Sequence, residues 1–99
     1  MENQSISQKN DLLRKMLSGC QVMLTAGVAD HENQMLILDA VRGFNQFTKD
    51  NDPYGEHDFA FFEVRGEKFF FKFDYYDSKY EFFQEDGNRV LTIGCADEY

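Results

Sequence analysis

The chain has 99 residues, 42 % of them hydrophobic, with 11 Phe, 5 Tyr, no Trp and a formal net charge of −8. This is too apolar and too aromatic for a disordered chain, and the length suits a single domain, 1–99, around one core. No apolar run approaches the roughly 18 residues of a membrane span, "MENQSISQKNDLL" lacks the basic-then-apolar pattern of a signal peptide, and clustered Lys and Arg for a phosphate backbone are missing. A cytoplasmic protein with no membrane partner and no direct nucleic-acid partner is expected.

The first predicted element is a helix over 5–18, "SISQKNDLLRKMLS", with Ser5 as its cap and Ile6, Leu13, Met16 and Leu17 on one face. Gly19 stops it. The apolar "CQVMLT", 20–25, reads as a strand that ends around Gly27. A second helix is expected from an N-cap at Asp30, with Glu32 in its first turn and Ile37, Ala40, Val41, Phe44 and Phe47 at helical spacing, ending near Thr48. Gly43 weakens that helix by up to about 1 kcal/mol relative to Ala.

"KDNDPYGE" then spells a turn, and the hydrophobic period changes to two. "DFAFFEV" and "EKFFFKFDY" predict a hairpin closed at Arg65-Gly66, with Gly66 left-handed in a type I turn plus bulge. Phe69, Phe71, Phe73 and Tyr75 share the face expected to be core. Lys68, Phe70, Lys72, Asp74 and Tyr76 share the wetter one. "YDSKYEFFQEDGN" is a loop or short edge strand, and "RVLTIGCA" is an interior strand. The predicted fold is α+β: two helices packed on one face of a mainly antiparallel four- to five-stranded sheet.

Cys20 and Cys95 have no metal-ligand spacing. They read as two small buried residues, and a cytoplasmic setting argues against a disulfide. Phosphate loops and serine-nucleophile elbows are absent, and no cofactor motif is present.

Chemistry-bearing residues crowd "NDPYGEHDF", 51–59, where three acids, His57 and Tyr54 surround the only proline. Asp52, Pro53 and Gly55 make a turn in any reading. Glu56, His57 and Asp58 have the side-chain types of a metal site or a histidine general base. A second cluster is "FDYYD", with Asp74, Tyr76 and Asp77. If hairpin partners sum to about 131, Asp58 lies opposite Phe73, or opposite Asp74 if a bulge intervenes. The register thus gathers Asp52, Glu56, His57, Asp58, Asp74 and Asp77 on one rim. The charge is equally uneven: residues 1–47 carry five acids and four bases, −1, whereas 48–99 carry thirteen acids and six bases, −7. A field of that sign attracts a basic partner and deters nucleic acid.

"VMLTAGV", "FTKDNDPYGEHDF", "FKFDYYD" and "RVLTIGCADEY" resemble an uncharacterised family of small proteobacterial proteins, a domain of unknown function, over about Leu12 to Tyr99. The resemblance implies no chemistry. It draws attention to Asp52, Pro53, Tyr54, Gly55, Glu56, His57, Asp58, Asp74, Tyr75, Tyr76, Asp77, Glu98 and Tyr99, and it implies carriage on plasmids or other mobile DNA. Small size and acidity are also similar in type to inhibitors of bacterial immunity such as anti-CRISPR proteins. The expected function is a non-enzymatic binder of a basic protein surface through Asp52, Tyr54, Glu56, His57, Asp58, Asp74, Tyr76 and Asp77, with no metal. The alternatives are a metal-binding protein or enzyme built on His57, and a homo-oligomer joined through a strand edge or Phe82-Phe83.

Overall fold

The computed structural model describes residues 5–99. Helix α1 (Ile6–Met16) starts at Ser5, whose hydroxyl accepts from the Gln8 N–H while the Gln8 side chain accepts from the Ser5 N–H. This reciprocal pair satisfies two orphan donors. Leu17, left-handed at φ 48°, closes the helix. Strand β1 (Gln21–Leu24) follows.

The second predicted helix is instead two helices, α2 (Ala26–Ala29) and α3 (Gln34–Gly43). Asp30 closes α2 rather than opening α3, and Asn33 takes the N-cap position. Phe44 turns extended (ψ 129°), so α3 stops at Gly43 and Phe44 and Phe47 reach the core from a loop. Arg14 of α1 donates from Nη1 to the carbonyls of Val41 (2.8 Å) and Phe44 (2.6 Å). The Val41 carbonyl otherwise accepts only a long 3.4 Å bond from the Phe44 N–H, so the helix end is satisfied largely from a neighbouring helix, which stops α3 at a place that helical spacing does not mark.

Strands β2 (Phe59–Val64) and β3 (Glu67–Tyr76) pair antiparallel from Phe59↔Lys72 to Val64↔Glu67. Partner numbers sum to 131, as the hairpin reading requires. The turn itself differs. Arg65 (φ 52°) and Gly66 (φ 80°) are both left-handed, which fits a two-residue turn without a bulge. Asp58 therefore lies opposite Phe73, whose N–H donates to the Asp58 carbonyl at 2.8 Å.

Strand β4 (Asn88–Cys95) pairs antiparallel with β3 and parallel with β1, giving the order β1-β4-β3-β2. The protein is thus α+β with a mixed four-stranded sheet, two of its three strand contacts being antiparallel. Residues 77–87 add only a bridge between Tyr76 and Phe83. Among the described residues no helix is long and apolar enough to cross a membrane.

The core lies on the sheet face of Phe69, Phe71, Phe73 and Tyr75, with Ala60, Phe62, Leu91 and Ile93 beside them. Val28, Ile37 and Val41 from α2 and α3 join this core, and Ile6, Leu13 and Leu17 pack against it. Burying each large apolar side chain contributes about 1.5–3 kcal/mol. Arg14, 2 % exposed, crosses this layer with its guanidinium 5.4 Å from the Phe47 ring and 5.2 Å from the Phe71 ring.

The opposite face is less wet than its lysines suggest. Phe70 is only 2 % exposed, because Phe59 and Tyr99 pack on it at 6.4 and 5.1 Å between ring centroids. Gly94 makes the room: a Cβ there would stand 2.7 Å from Phe70 Cε1 and 2.6 Å from Thr25 Cγ2. Cys20 and Cys95 are free thiols and half-buried rather than fully buried. Burial raises the pKa of both, that of Cys95 to about 11 with help from the Glu98 carboxylate.

Candidate functional site

The loop from Phe44 to Asp58 joins α3 to β2 and sets the site. Asp52, 8 % exposed, organises the loop from its centre. Its Oδ1 accepts from the N–H of Glu56 (3.2 Å) and of His57 (3.3 Å), and its carbonyl accepts from Gly55 (3.1 Å). Gly55 (φ 65°) and His57 (φ 55°) are left-handed. For His57 that backbone is unusual. The strand alternation that would place its ring on the rim is interrupted there.

His57 accordingly faces α1. Its Nδ1 lies 2.9 and 3.0 Å from the two carboxylate oxygens of Asp11, and its ring stacks on Phe47 at 4.0 Å and 3°. Nε2 is 3.6 Å from Asp52 Oδ2. Asp11 also accepts from Arg14 Nη2 at 2.6 Å. The rim expected to hold His57 among its acids therefore does not: the imidazole, Asp11, Asp52 and Arg14 form a separate network behind the loop.

What remains on the rim is an open groove of about 560 Å³. Glu56 and Asp58 line it from the entry to β2, Asp74 and Tyr76 from the end of β3, and Phe83, Glu85 and Asp86 from the following loop. The hairpin register that brings Asp58 opposite Phe73 makes the two acidic stretches converge, as expected. Of the predicted binding residues, Glu56, Asp58, Asp74 and Tyr76 belong to this groove. Asp52 stands behind it as a turn former. Asp77 accepts from the N–H groups of Lys79 and Glu81, both at 3.1 Å, and so caps a turn. Tyr54 sits at the loop tip, 86 % exposed.

The sequence reading missed Phe83, Glu85 and Asp86. The Asp86-Gly87-Asn88 turn carries the signal for Asp86, since Asn88 pairs with Tyr76 and brings the preceding residues over the end of β3. Glu85 and Phe83 have no such marker.

The wall behind the groove is a closed hydrogen-bond network. Asn10, fully buried, donates to the Glu56 carbonyl and to the Tyr75 hydroxyl, both at 2.9 Å, and accepts from Arg89 Nε at 2.5 Å. Arg89 also donates to Asp86 Oδ1 (2.7 Å), and Lys9 to Asp86 Oδ2 (2.8 Å). These two cations hold Asp86 below the usual carboxylate range. Burial in this wall pushes the Tyr75 phenol up to about 12.

Two other groove acids, Glu56 and Asp58, behave in the opposite way. Burial first, then the charges of Asp58, Asp52 and Glu85, raise the pKa of Glu56. Burial, Asp52 and Asp74 likewise raise that of Asp58. Among the described residues Glu56, Asp58 and Glu85 have no cation within salt-bridge distance, whereas Asp74 has Lys72 at 3.3 Å. The groove thus holds negative charge that the fold does not neutralise, next to the largely exposed ring of Phe83.

Among the described residues the ligand-type atoms that approach within 4.8 Å of one another as a trio belong to Cys95, Asp97 and Glu98, not to the groove. There the Glu98 carboxylate is already engaged by the Thr25 hydroxyl (2.5 Å) and the N–H groups of Gly27 (3.0 Å) and Cys95 (2.8 Å). Those bonds pull its pKa down to about 2, the Thr25 bond most. Glu98 is a clasp that pins the C-terminal 3-10 turn, Ala96–Glu98, to α2.

No curated protein and no solved structure matches the chain. A family model described as "Protein of unknown function (DUF3768)" matches residues 24–98. The match takes in every groove residue and leaves α1, with Asn10, Asp11 and Arg14, outside it.

Proposed function

The chain belongs to the DUF3768 family of proteins of unknown function, and we propose that it is a small non-enzymatic binding protein whose acidic groove docks on a basic, nucleic-acid-binding surface of a protein partner. The observation that carries this reading is the set of Glu56, Asp58 and Glu85, held together in a groove of about 560 Å³ with no cation paired to them among the described residues. Their mutual repulsion is relieved when Lys or Arg side chains enter, and charge-assisted hydrogen bonds to carboxylates are the strong ones. Tyr76 and Phe83 add aromatic faces for the stems and guanidinium planes of such side chains. Occupying a partner's nucleic-acid channel in this way is the action of an anti-CRISPR-like inhibitor carried by a mobile element.

An enzyme or metal protein centred on His57 is the weaker reading, because the ring is committed to Asp11 and Phe47. The test is affinity capture from a native host at low and high salt, with the wild type beside a Glu56→Gln/Asp58→Asn/Glu85→Gln variant. A basic, nucleic-acid-binding protein should be retained by the wild type at low salt, released at high salt, and lost at least tenfold by the variant. Equal recovery by both proteins would sink the proposal.

A further inference from the structure

The helices cover one face of the sheet, and the other face is left open around the Phe70 cluster. Met23 on β1 is 55 % exposed, Phe61 on β2 45 % and Tyr99 69 %, and all three share this outer face with Thr92 at its centre. Its charged residues are Glu63, Lys68, Lys72 and Asp74, two of each sign. In a chain of net charge −8 this is a neutral, partly apolar surface. Elsewhere two copies would repel one another; here they do not.

We propose that the outer face of the sheet is the contact surface of a homodimer, packed on the same face of a second copy. A two-fold contact brings each residue against its own partner set, so the surface must be self-complementary. Lys72 and Asp74 meet that condition. They stand 3.3 Å apart on neighbouring positions of one face, with 38 % and 41 % of their side chains exposed. An axis passing between them sets each lysine against the other copy's aspartate. Met23, Phe61 and Tyr99 then lose water to one another, as the core of an interface does. Four strands about 4.8 Å apart and about 20 Å long offer roughly 400 Å² in projection per copy. That is the small, transient end of specific interfaces. The contact shares Asp74 with the groove, so a second copy and a basic partner compete at that end of the sheet, and salt tells them apart: the apolar contacts of Met23, Phe61 and Tyr99 let this dimer persist at 500 mM salt (about a 4 Å screening length), where groove binding is lost.

The experiment is sedimentation equilibrium of the wild type from low micromolar to millimolar concentration, at low and high salt. The expected result is a monomer–dimer equilibrium that Met23→Glu and Lys72→Glu each weaken at least tenfold, with circular dichroism and melting temperature confirming a folded chain. Phe61→Ser supplies an uncharged third variant. Phe82→Ser, on the exposed loop after β3, should leave the dimer intact. A monomer throughout the range, a dimer indifferent to the three face variants, or a dimer abolished only by Phe82→Ser would each overturn the proposal.

Discussion

Two polar regions flank the loop from Phe44 to Asp58, and they use the same residue types to opposite ends. Behind the loop, Asp11, Asp52, His57 and Arg14 are locked together with short, mutually oriented bonds. In front of it, Glu56, Asp58 and Glu85 line a groove and, among the described residues, have no cation within salt-bridge distance of their own. The first region spends its charges on holding α1, the end of α3 and the loop in place. The second keeps charge in reserve, and that separates a structural acid from one poised for a partner. Proximity in sequence does not make the distinction, since Glu56, His57 and Asp58 are consecutive.

The largest expected effect falls on the locked side. Arg14→Met should destabilise the protein by about 3 kcal/mol, because the Phe44 carbonyl loses its Arg14 bond, the Val41 carbonyl keeps only the 3.4 Å bond from the Phe44 N–H, and Asp11 keeps only His57. Thermal unfolding should show a drop of well over 10 °C for a chain of this length. A drop of a few degrees would mean that the locked region is not a structural device. His57→Ala should cost about 1–2 kcal/mol through loss of the Phe47 stack and the Asp11 bond, and should leave capture of a basic partner unchanged. Loss of partner binding in a folded His57→Ala protein would erase the contrast between the two regions.

The smallest effect sharpens the contrast through pH. Glu56 and Asp58 have raised pKa values in the folded chain, so the folded state takes up their protons more readily than the unfolded state. Their contribution to stability therefore increases as pH falls from neutral toward the ordinary carboxylate range, near 4. Asp86 and Glu98 have lowered values; their contribution is present above that range and is lost as pH falls through it, for Glu98 toward about 2. Urea midpoints should hold level or rise slightly between pH 7 and 5, then fall. In Glu56→Gln/Asp58→Asn the slight rise should vanish while the acid-side fall remains. A rise that survives the double change would place its origin outside the groove.

Much of the fold was legible because it rests on local periodicity. The Phe69, Phe71, Phe73 and Tyr75 alternation fixed the core face, and the turn at Arg65-Gly66 narrowed the partner of Asp58 to Phe73 or Asp74, of which the bulge-free turn selects Phe73. The break between α2 and α3 was not legible, since Phe44 and Phe47 keep helical spacing after the helix has ended. Half of the predicted binding set, Glu56, Asp58, Asp74 and Tyr76, lies in the groove. Asp52, His57 and Asp77 lie outside the groove because side chains that cap turns, or that sit on left-handed backbone, leave the direction that strand alternation assigns them, while Tyr54 stands exposed at the loop tip.

By itself the sequence determined an α+β chain with an aromatic core face, a negative field concentrated after residue 47, and two acidic stretches brought together by one hairpin. Period, turn chemistry and charge count are local properties, so they survive without coordinates. Only the tertiary structure decided that β1 pairs parallel with β4, that His57 turns inward to Asp11, and that Glu85 and Asp86 complete the groove. Each of those depends on contacts between segments far apart in the chain. Whether an acid becomes structural or stays open to a partner is settled by which cation arrives beside it, and Arg14, Lys9 and Arg89 arrive from other elements of the fold.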